Sequence, residues 1–497
     1  MILIINRQKY KFMSKIKNLN PERVWKHFYN LTQIPRPSKN EAKIIEFMKK
    51  FGEDLGLETI VDEVGNVMIR KPAVQGMENR MGVIFQGHLD MVPQKNSDKV
   101  HDFEKDPINV FVDGEWVTAD GTTLGADNGI GVAVAMAVLE ANNIEHGLVE
   151  ALFTIDEETG MTGANNLKPG ILKGDILLNT DSEDEGEIYV GCAGGVEVHV
   201  NMNYNEHSAP TGYTAYKLAA TGLKGGHSGM DINIGRSNSN KLLFRFLNHC
   251  LYNFDFKLSD VAGGDLRNAI PRESFATILI LNSQIQKFEE EVKLFENNYK
   301  NEFSATEPDL SFKANKTDMP AKIIDDNAKE KMIKACFACP HGVERMSDSM
   351  PGLVETSNNF AIAICKDGKF NVNCLVRSSV DTAKVAVQYK IGTIFDLIGA
   401  DVSFEGSYPG WKPNMDSTIL KTMQKVYSDK FGKTPKIMAI HAGLECGILG
   451  AAYPNWDMIS YGPTIRFPHS PDEKVHIESV QKFWDFTIEI LKNIPIK

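Results

Sequence analysis

No apolar run in this sequence approaches the ~20 residues that a membrane-spanning helix needs, so the chain is not expected to cross a membrane. The opening Met1-Ile2-Leu3-Ile4-Ile5 is apolar, yet it is too short for a signal peptide and lacks a basic start and a small-residue cleavage site. Met13 is an alternative start, because the helical pattern begins after it. Positive charge is in deficit: the net charge of -11 argues against a nucleic-acid partner. Cysteine is scarce and odd in number, seven in all, which suits a reducing cytoplasm rather than a disulfide framework. The one close pair, Cys336 and Cys339 in "CFACPH" with His341, has no second pair at zinc-ribbon spacing, and free structural thiols on a helix end are expected. Several catalytic signatures are also missing. There is no G-x-x-x-x-G-K-[ST] and no H-E-x-x-H, "GGHSGM" is not a serine elbow, and "GADNGIG" lacks dinucleotide spacing.

What is present is a chain of 497 residues, too long for one ordinary core, with the 42% apolar and 24% charged content of a globular protein. The segment from Asn20 to Gly56 reads as two helices broken at Pro35 and Pro37. "MGVIFQ", "EALFTI" and "DILLNT" are continuous apolar runs of strand length, and "NGIGVAVAMAVLEANN" between the first two is a helix. This alternation predicts a mostly parallel sheet covered by helices, an α/β domain. Near residue 206 the pattern changes to half-exposed alternating strands, with Asp367-Gly368 as a hairpin turn and long amphipathic helices between. The expected organisation is therefore 1–205 and 401–497 as the two parts of one α/β domain, with 206–400 inserted as an α+β domain.

The acids and histidines gather where α/β sheets place ligands, beyond the carboxyl ends of strands. His88 and Asp90 follow one strand in "VIFQGHLDMV", and Glu157 and Glu158 follow the next in "FTIDEETG". Asp181 follows a third in "LLNTDSE", and His469 a last one in "ISYGPTIRFPHSPDE". Asp127 stands in a turn before a helix in "TTLGADNGIG". Singly, each has an ordinary reading: a satisfied polar residue, a solvated loop, a helix N-cap. "SEDEGE", Asp184 to Glu187, reads as an exposed acidic turn. Together they suit a pair of divalent ions, zinc, manganese or cobalt, bound by imidazole and carboxylate. Two ions about 3.5–4 Å apart can share one carboxylate. Asp127 as the bridge, with His88 and Asp181 on one ion and Glu158 and His469 on the other, gives each ion three ligands and an open side. A turn can splay Glu157 from Glu158 so that one grips metal and the other faces water. Asp90 is placed to hold the other nitrogen of His88.

The ordered motifs "GHLDMV", "LGADNGIG", "DEETGMTGA", "LLNTDSED", "GGHSGMDI", "HAGLECG" and "YGPTIRFPHSPDE" closely resemble the aminoacyl-histidine dipeptidase (peptidase D) branch of the carnosinase/aminoacylase-like metallopeptidase superfamily. The resemblance covers nearly the whole chain after about residue 20. It implies an α/β catalytic domain, with a mixed, mainly parallel sheet and helices on both faces, interrupted by an α+β lid domain. It implies the ligand sharing above, Glu157 as general base and Asp90 behind the ligands. In the lid it implies that His227 reaches the scissile carbonyl and that Asn268 and Arg377 hold substrate. In shorter-lidded relatives the polarising histidine comes from a partner subunit, so action of His227 within its chain and across a homodimer formed through the lid both stay open.

The activity so implied is hydrolysis of dipeptides, Xaa-His and broader, by attack of a water shared between two metal ions. Glu157 would take the water's proton and pass it to the leaving amine, while Arg377 would pair with the substrate carboxylate. Small peptides are the expected partners, and the cytoplasm the expected location. The alternatives are a tripeptidase or N-acyl-amino-acid deacylase of the same superfamily, or a non-catalytic metal- or peptide-binding protein, which would have no need of Glu157.

Overall fold

The computed structural model describes residues 16–497; the Met1–Ile5 run and Met13 lie outside the described residues. Two compact units form. One comprises the described chain up to Gly191 with Asn414–Ala439 and Leu444–Lys497; the other comprises Cys192–Pro413 with Ile440–Gly443.

The first unit is built on an eight-stranded sheet in the order Glu58–Val61, Val67–Lys71, Val149–Thr154, Val83–His88, Ile176–Asn179, Asp457–Ser460, Glu187–Cys192, Lys436–Ile440. Its four central strands, from Val149–Thr154 to Asp457–Ser460, run parallel. The flanking pairs are antiparallel, and one of them, Glu58–Val61 with Val67–Lys71, is joined by a short turn. Every residue of Val83–His88, Val149–Thr154 and Ile176–Asn179 is buried, which explains why these segments read as continuous apolar runs rather than alternating ones. Pro35 and Pro37 do separate two helices, Glu22–Thr32 and Ala42–Asp54. The helix Ala126–Glu140 is buried from Asn128 through Leu139, and packs on Val83–His88 and on Glu22–Thr32. It is apolar on every side because it is covered on every side.

Close approach at the start of this helix fixes its position. A Cβ on Gly131 would lie 2.3 Å from Thr180 Oγ1, so only glycine lets the helix meet the chain just before Asp181. Asn128 Nδ2 donates to the Thr180 carbonyl at 2.7 Å and ties the same two segments. Asp127 and Asp181 are thus brought together by the backbone, before their side chains are considered.

The second unit holds an antiparallel sheet of nine strands with the helices Ser239–Asn253, Ile285–Glu302, Asp326–Ala338 and Asp381–Asp396. Asp367-Gly368, both at positive φ, closes the hairpin between Val354–Lys366 and Lys369–Ser378. The unit starts at Cys192 and ends at Pro413, wider than the 206–400 expected from composition. The reason is two strands of its sheet, Gly194–Asn203 and Asp401–Tyr408, that pair with each other; the first also pairs along its whole length with Lys369–Ser378. None of the seven cysteines is in a disulfide, and all are buried. Burial pushes the Cys336 thiol up and the His341 imidazole down to about 3, so both stay neutral and the "CFACPH" segment is structural. Among the described residues no helix is long and apolar enough to cross a membrane.

Candidate active site

Within the first unit the chain ends of the central strands converge. His88 is the last residue of Val83–His88, and Asp181 lies two residues beyond Ile176–Asn179. Glu157 and Glu158 open a one-turn helix, Glu157–Gly160, entered through Asp156 at φ 51°. Asp127 sits in the first turn of Ala126–Glu140. His469 is carried by a loop between the short strands Ile465–Arg466 and Lys474–His476, rather than directly at the end of a strand of the large sheet.

Asp127 is the centre of the arrangement. Its Oδ1 lies 3.1 Å from His88 Nε2, and its Oδ2 lies 3.2 Å from His469 Nε2. Asp181 Oδ1 stands 3.3 Å from His88 Nε2. Glu158 Oε2 stands 3.0 Å from His469 Nε2. Two candidate ligand groups result, His88–Asp127–Asp181 and Asp127–Glu158–His469, with Asp127 common to both; a third group joins His88, Glu157 and Glu158. In each group the ligand atoms lie within 4.8 Å of one another.

These residues fit a metal. One Nε2–H cannot donate well to two carboxylates at once, yet each imidazole faces two. Ligand atoms held about 2.0–2.1 Å from a tetrahedral ion are themselves about 3.3 Å apart, which is close to the observed spacings. Buried polar atoms are also left over. Glu158 Oε1 has no hydrogen-bond partner among the described residues, and Asp181 Oδ1 receives no well-directed bond despite its nearness to His88.

Asp90 contacts both the imidazole and the acid pair. His88 Nδ1 lies 3.2 Å from the Asp90 backbone carbonyl and 3.4 Å from its carboxylate. That carboxylate mainly accepts the backbone N–H groups of Glu157 and Glu158, at 3.0 and 3.2 Å, and the Ser38 hydroxyl at 2.8 Å. It therefore positions the acid pair as well as the imidazole. Burial would raise its pKa, but His88 and these donors outweigh burial and bring it down to about 2.

Three buried residues escaped the sequence reading. Glu473 accepts backbone N–H groups from the turn before Asp127, and Arg36 holds the carbonyls of Leu89, Asp90 and Gly125. Glu445 accepts from Gln86 Nε2 at 2.6 Å and Thr154 Oγ1 at 2.8 Å. Gln86 in turn accepts from Asn179 Nδ2, and Asn179 Oδ1 accepts the backbone N–H of Asp181. A polar chain thus runs beneath the site across three strands. The signal for Glu445 was an acid inside the apolar stretch "GLECGILG", whereas Arg36 in "IPRPS" carries none.

In the second unit, His227 pairs with Ala269 across a two-residue ladder, and Ser228 N–H donates to the Asn268 carbonyl. Arg377 donates to Ser228 Oγ and Tyr408 OH, both at 3.2 Å. His227, Asn268 and Arg377 therefore share one neighbourhood. His227 Nδ1 accepts the backbone N–H groups of Gly229 and Met230, so the neutral ring carries its proton on Nε2 and is a donor there. Burial and then Arg377 lower its pKa and keep it neutral. His441, also missed, meets Ser357 Oγ at 2.7 Å in the same unit.

Burial pushes Asp181 and Glu445 up to about 7 and Glu183 to about 8, with neighbouring carboxylates adding to the effect. The Asp127 and Glu158 hydrogen bonds raise His469 to about 11. In every case the folded chain holds a proton that the unfolded chain has already released. Below about pH 6.5 the buried His341 and His441, both pushed down to about 3, oppose these carboxylates, so the net fall in stability of the metal-free chain is confined to the range from about 6.5 to 8. The expected result is a melting temperature of chelator-treated protein that drops between about pH 6.5 and 8, and a divalent ion that raises it most at the upper end. A pH-independent melt with no response to metal would contradict the reading.

The model of peptidase family M20/M25/M40 matches residues 84–493. Over 485 residues the chain is 46% identical to the cytosol non-specific dipeptidase of Escherichia coli (strain K12), a match that covers 98% of this chain and 100% of that one. The crystal structure of aminoacylhistidine dipeptidase from Vibrio alginolyticus superposes with a TM-score of 0.94 at 47% identity, over 97% of this chain and 99% of the other. A tripeptidase from Staphylococcus aureus, at TM-score 0.55 and 16% identity over 96% of this chain and 99% of that one, shares the fold alone. The family expected from the ordered motifs is the one that matches, across both parts of the first unit and the whole of the second: this chain belongs to peptidase family M20/M25/M40.

Proposed function

We propose that this protein is a cytoplasmic, metal-dependent dipeptidase that hydrolyses Xaa-His and other dipeptides with free termini. The observation that carries the reading is the sharing of Asp127 between two imidazole–carboxylate groups, with Glu157 beside them. The near-full-length likeness to two dipeptidases, one named non-specific and one aminoacylhistidine, supports both the substrate class and its breadth. The tripeptidase in the comparison matches at 16% identity and speaks for the fold alone.

In this reading His88 and Asp181 would hold one divalent ion and Glu158 and His469 the other, with Asp127 available to both; zinc, cobalt or manganese suits the donors. When bound, such ions supply Lewis-acid charge that polarises the scissile carbonyl and makes water a stronger acid. Glu157 is the proton carrier. Burial raises its pKa well above that of an ordinary glutamate, with the neighbouring acids Asp181, Glu445 and Glu158 adding to the rise against the opposing pull of His88. A raised pKa makes the carboxylate a stronger base than an ordinary glutamate. It takes one proton from water as the C–O bond forms, and returns it to the amine nitrogen as the C–N bond breaks. His227, protonated on Nε2, donates to the developing oxyanion. Arg377, whose hydrogen-bond partners within its unit are hydroxyls, is assigned the terminal carboxylate of the substrate.

Glu157→Ala should lower kcat by about 100-fold or more with metal content unchanged, because the base is lost and the ligands are not. Turnover at the wild-type rate would rule out this assignment. Arg377→Ala should raise KM for free-carboxylate dipeptides at least tenfold and leave C-terminally amidated analogues nearly unaffected. Equal effects on both would remove the carboxylate clamp. The broader reading is tested with metal-stripped protein reloaded with Zn²⁺, Mn²⁺ or Co²⁺ and offered dipeptides, tripeptides and acylated amino acids. Preference for tripeptides or acylated amino acids would displace it.

A further inference from the structure

We infer that Glu473 and Arg36 act as a pair of positioning residues that set Asp127 between two ions, without either side chain being a ligand. The inference rests on the metal-dependent reading above and concerns what makes a pair of ions, rather than one, fit.

Glu473 accepts four consecutive backbone N–H groups. Leu124 and Gly125 donate to Oε2 at 2.8 and 2.9 Å, and Ala126 and Asp127 donate to Oε1 at 2.7 and 3.2 Å. Consecutive N–H groups converge on one anion when the backbone forms a nest, and the left-handed Gly125, at φ 71°, makes that turn here. Glu473 is 2% exposed, and a carboxylate so buried is tolerable only when donors surround it. The residue stands four positions after His469 in "PHSPDE". Its side chain therefore ties the loop that carries one imidazole to the turn that carries the shared carboxylate.

Arg36 grips the same turn from the other side. Its Nη2 donates to the Gly125 carbonyl at 2.5 Å, and its Nη1 donates to the carbonyls of Leu89 and Asp90, both at 2.8 Å. Gly125 thus gives its N–H to Glu473 and its carbonyl to Arg36. Arg36 is also 2% exposed and forms no ion pair with a carboxylate among the described residues, so the guanidinium is spent on holding backbone. Only a planar, multi-donor head can span three carbonyls at once; a lysine ammonium cannot reproduce this fork. The resulting chain runs from the His469 loop through Glu473 to Leu124–Asp127, then through Arg36 to the segment after His88. Three segments that carry His88, Asp127 and His469 are tied by two residues whose side-chain hydrogen bonds go to backbone groups. This explains why the two oxygens of Asp127 face two imidazoles at 3.1 and 3.2 Å instead of turning toward one.

The test is Zn²⁺ titration of metal-free wild type, Glu473→Gln and Arg36→Lys by calorimetry, with Co²⁺ absorption as a second readout. All are measured well below the melting temperature of each variant. Glutamine turns an amide NH₂ toward N–H donors, and lysine keeps the charge but loses the fork. The expected result is two ions in wild type, and in both variants one retained ion with the other weakened 10–100-fold. In the reloaded enzymes kcat should fall more than KM rises. Should E473Q not fold, R36K alone decides. Variants that melt earlier yet bind two ions as tightly as wild type would show a merely structural role and overturn the inference. A wild-type chain that binds no ion pair would instead sink the metal-dependent reading, and this inference with it.

Discussion

Repulsion among buried carboxylates is the constraint around which the first unit is organised. Asp127, Glu157, Glu158 and Asp181 are held within reach of two imidazoles, and burial drives Asp181 and Glu157 toward the protonated form. Placing that much negative charge together is unfavourable unless positive charge joins it. Nothing in the packing requires acids there: the strands that deliver them are apolar and fully buried. The fold supplies stability through those strands and the helix Ala126–Glu140, and uses some of it to hold the acids together at the strand ends.

The surrounding residues make sense as responses to that constraint. Asp90 stays ionised by accepting two backbone N–H groups and the Ser38 hydroxyl. Glu445 is satisfied on one oxygen through Gln86 and Thr154, and its other oxygen has no partner among the described residues. Close approach at Gly131 and the bond from Asn128 to Thr180 bring the backbones near enough for Asp127 and Asp181 to share His88. Backbone placement, not side-chain reach, thus sets the distances, which is what a site needing sub-ångström positioning requires.

Much of this was legible in the sequence because it is written in local pattern. "MGVIFQ", "EALFTI" and "DILLNT" are apolar without alternation, as strands buried on both faces must be, and the acids and His88 that follow them fall where such sheets place ligands. What could not be read is what depends on long-range pairing. Gly194–Asn203 and Asp401–Tyr408 find each other across about two hundred residues, so the change of pattern near 206 and 400 missed them. Arg36 and Glu473 recognise backbone, and backbone has no sequence signature. Asp90 was readable as a partner for the His88 imidazole because it stands two residues away; that its carboxylate also accepts the Glu157 and Glu158 amides was not, because their position is not encoded locally.

The claim that Asp127 lies between two cations is tested most directly by anomalous diffraction from crystals of the Zn²⁺-loaded chain. The account predicts two peaks about 3.5–4 Å apart, one on each side of the Asp127 carboxylate, with His88 and Asp181 on one and Glu158 and His469 on the other. A single peak, or peaks away from Asp127, would contradict it.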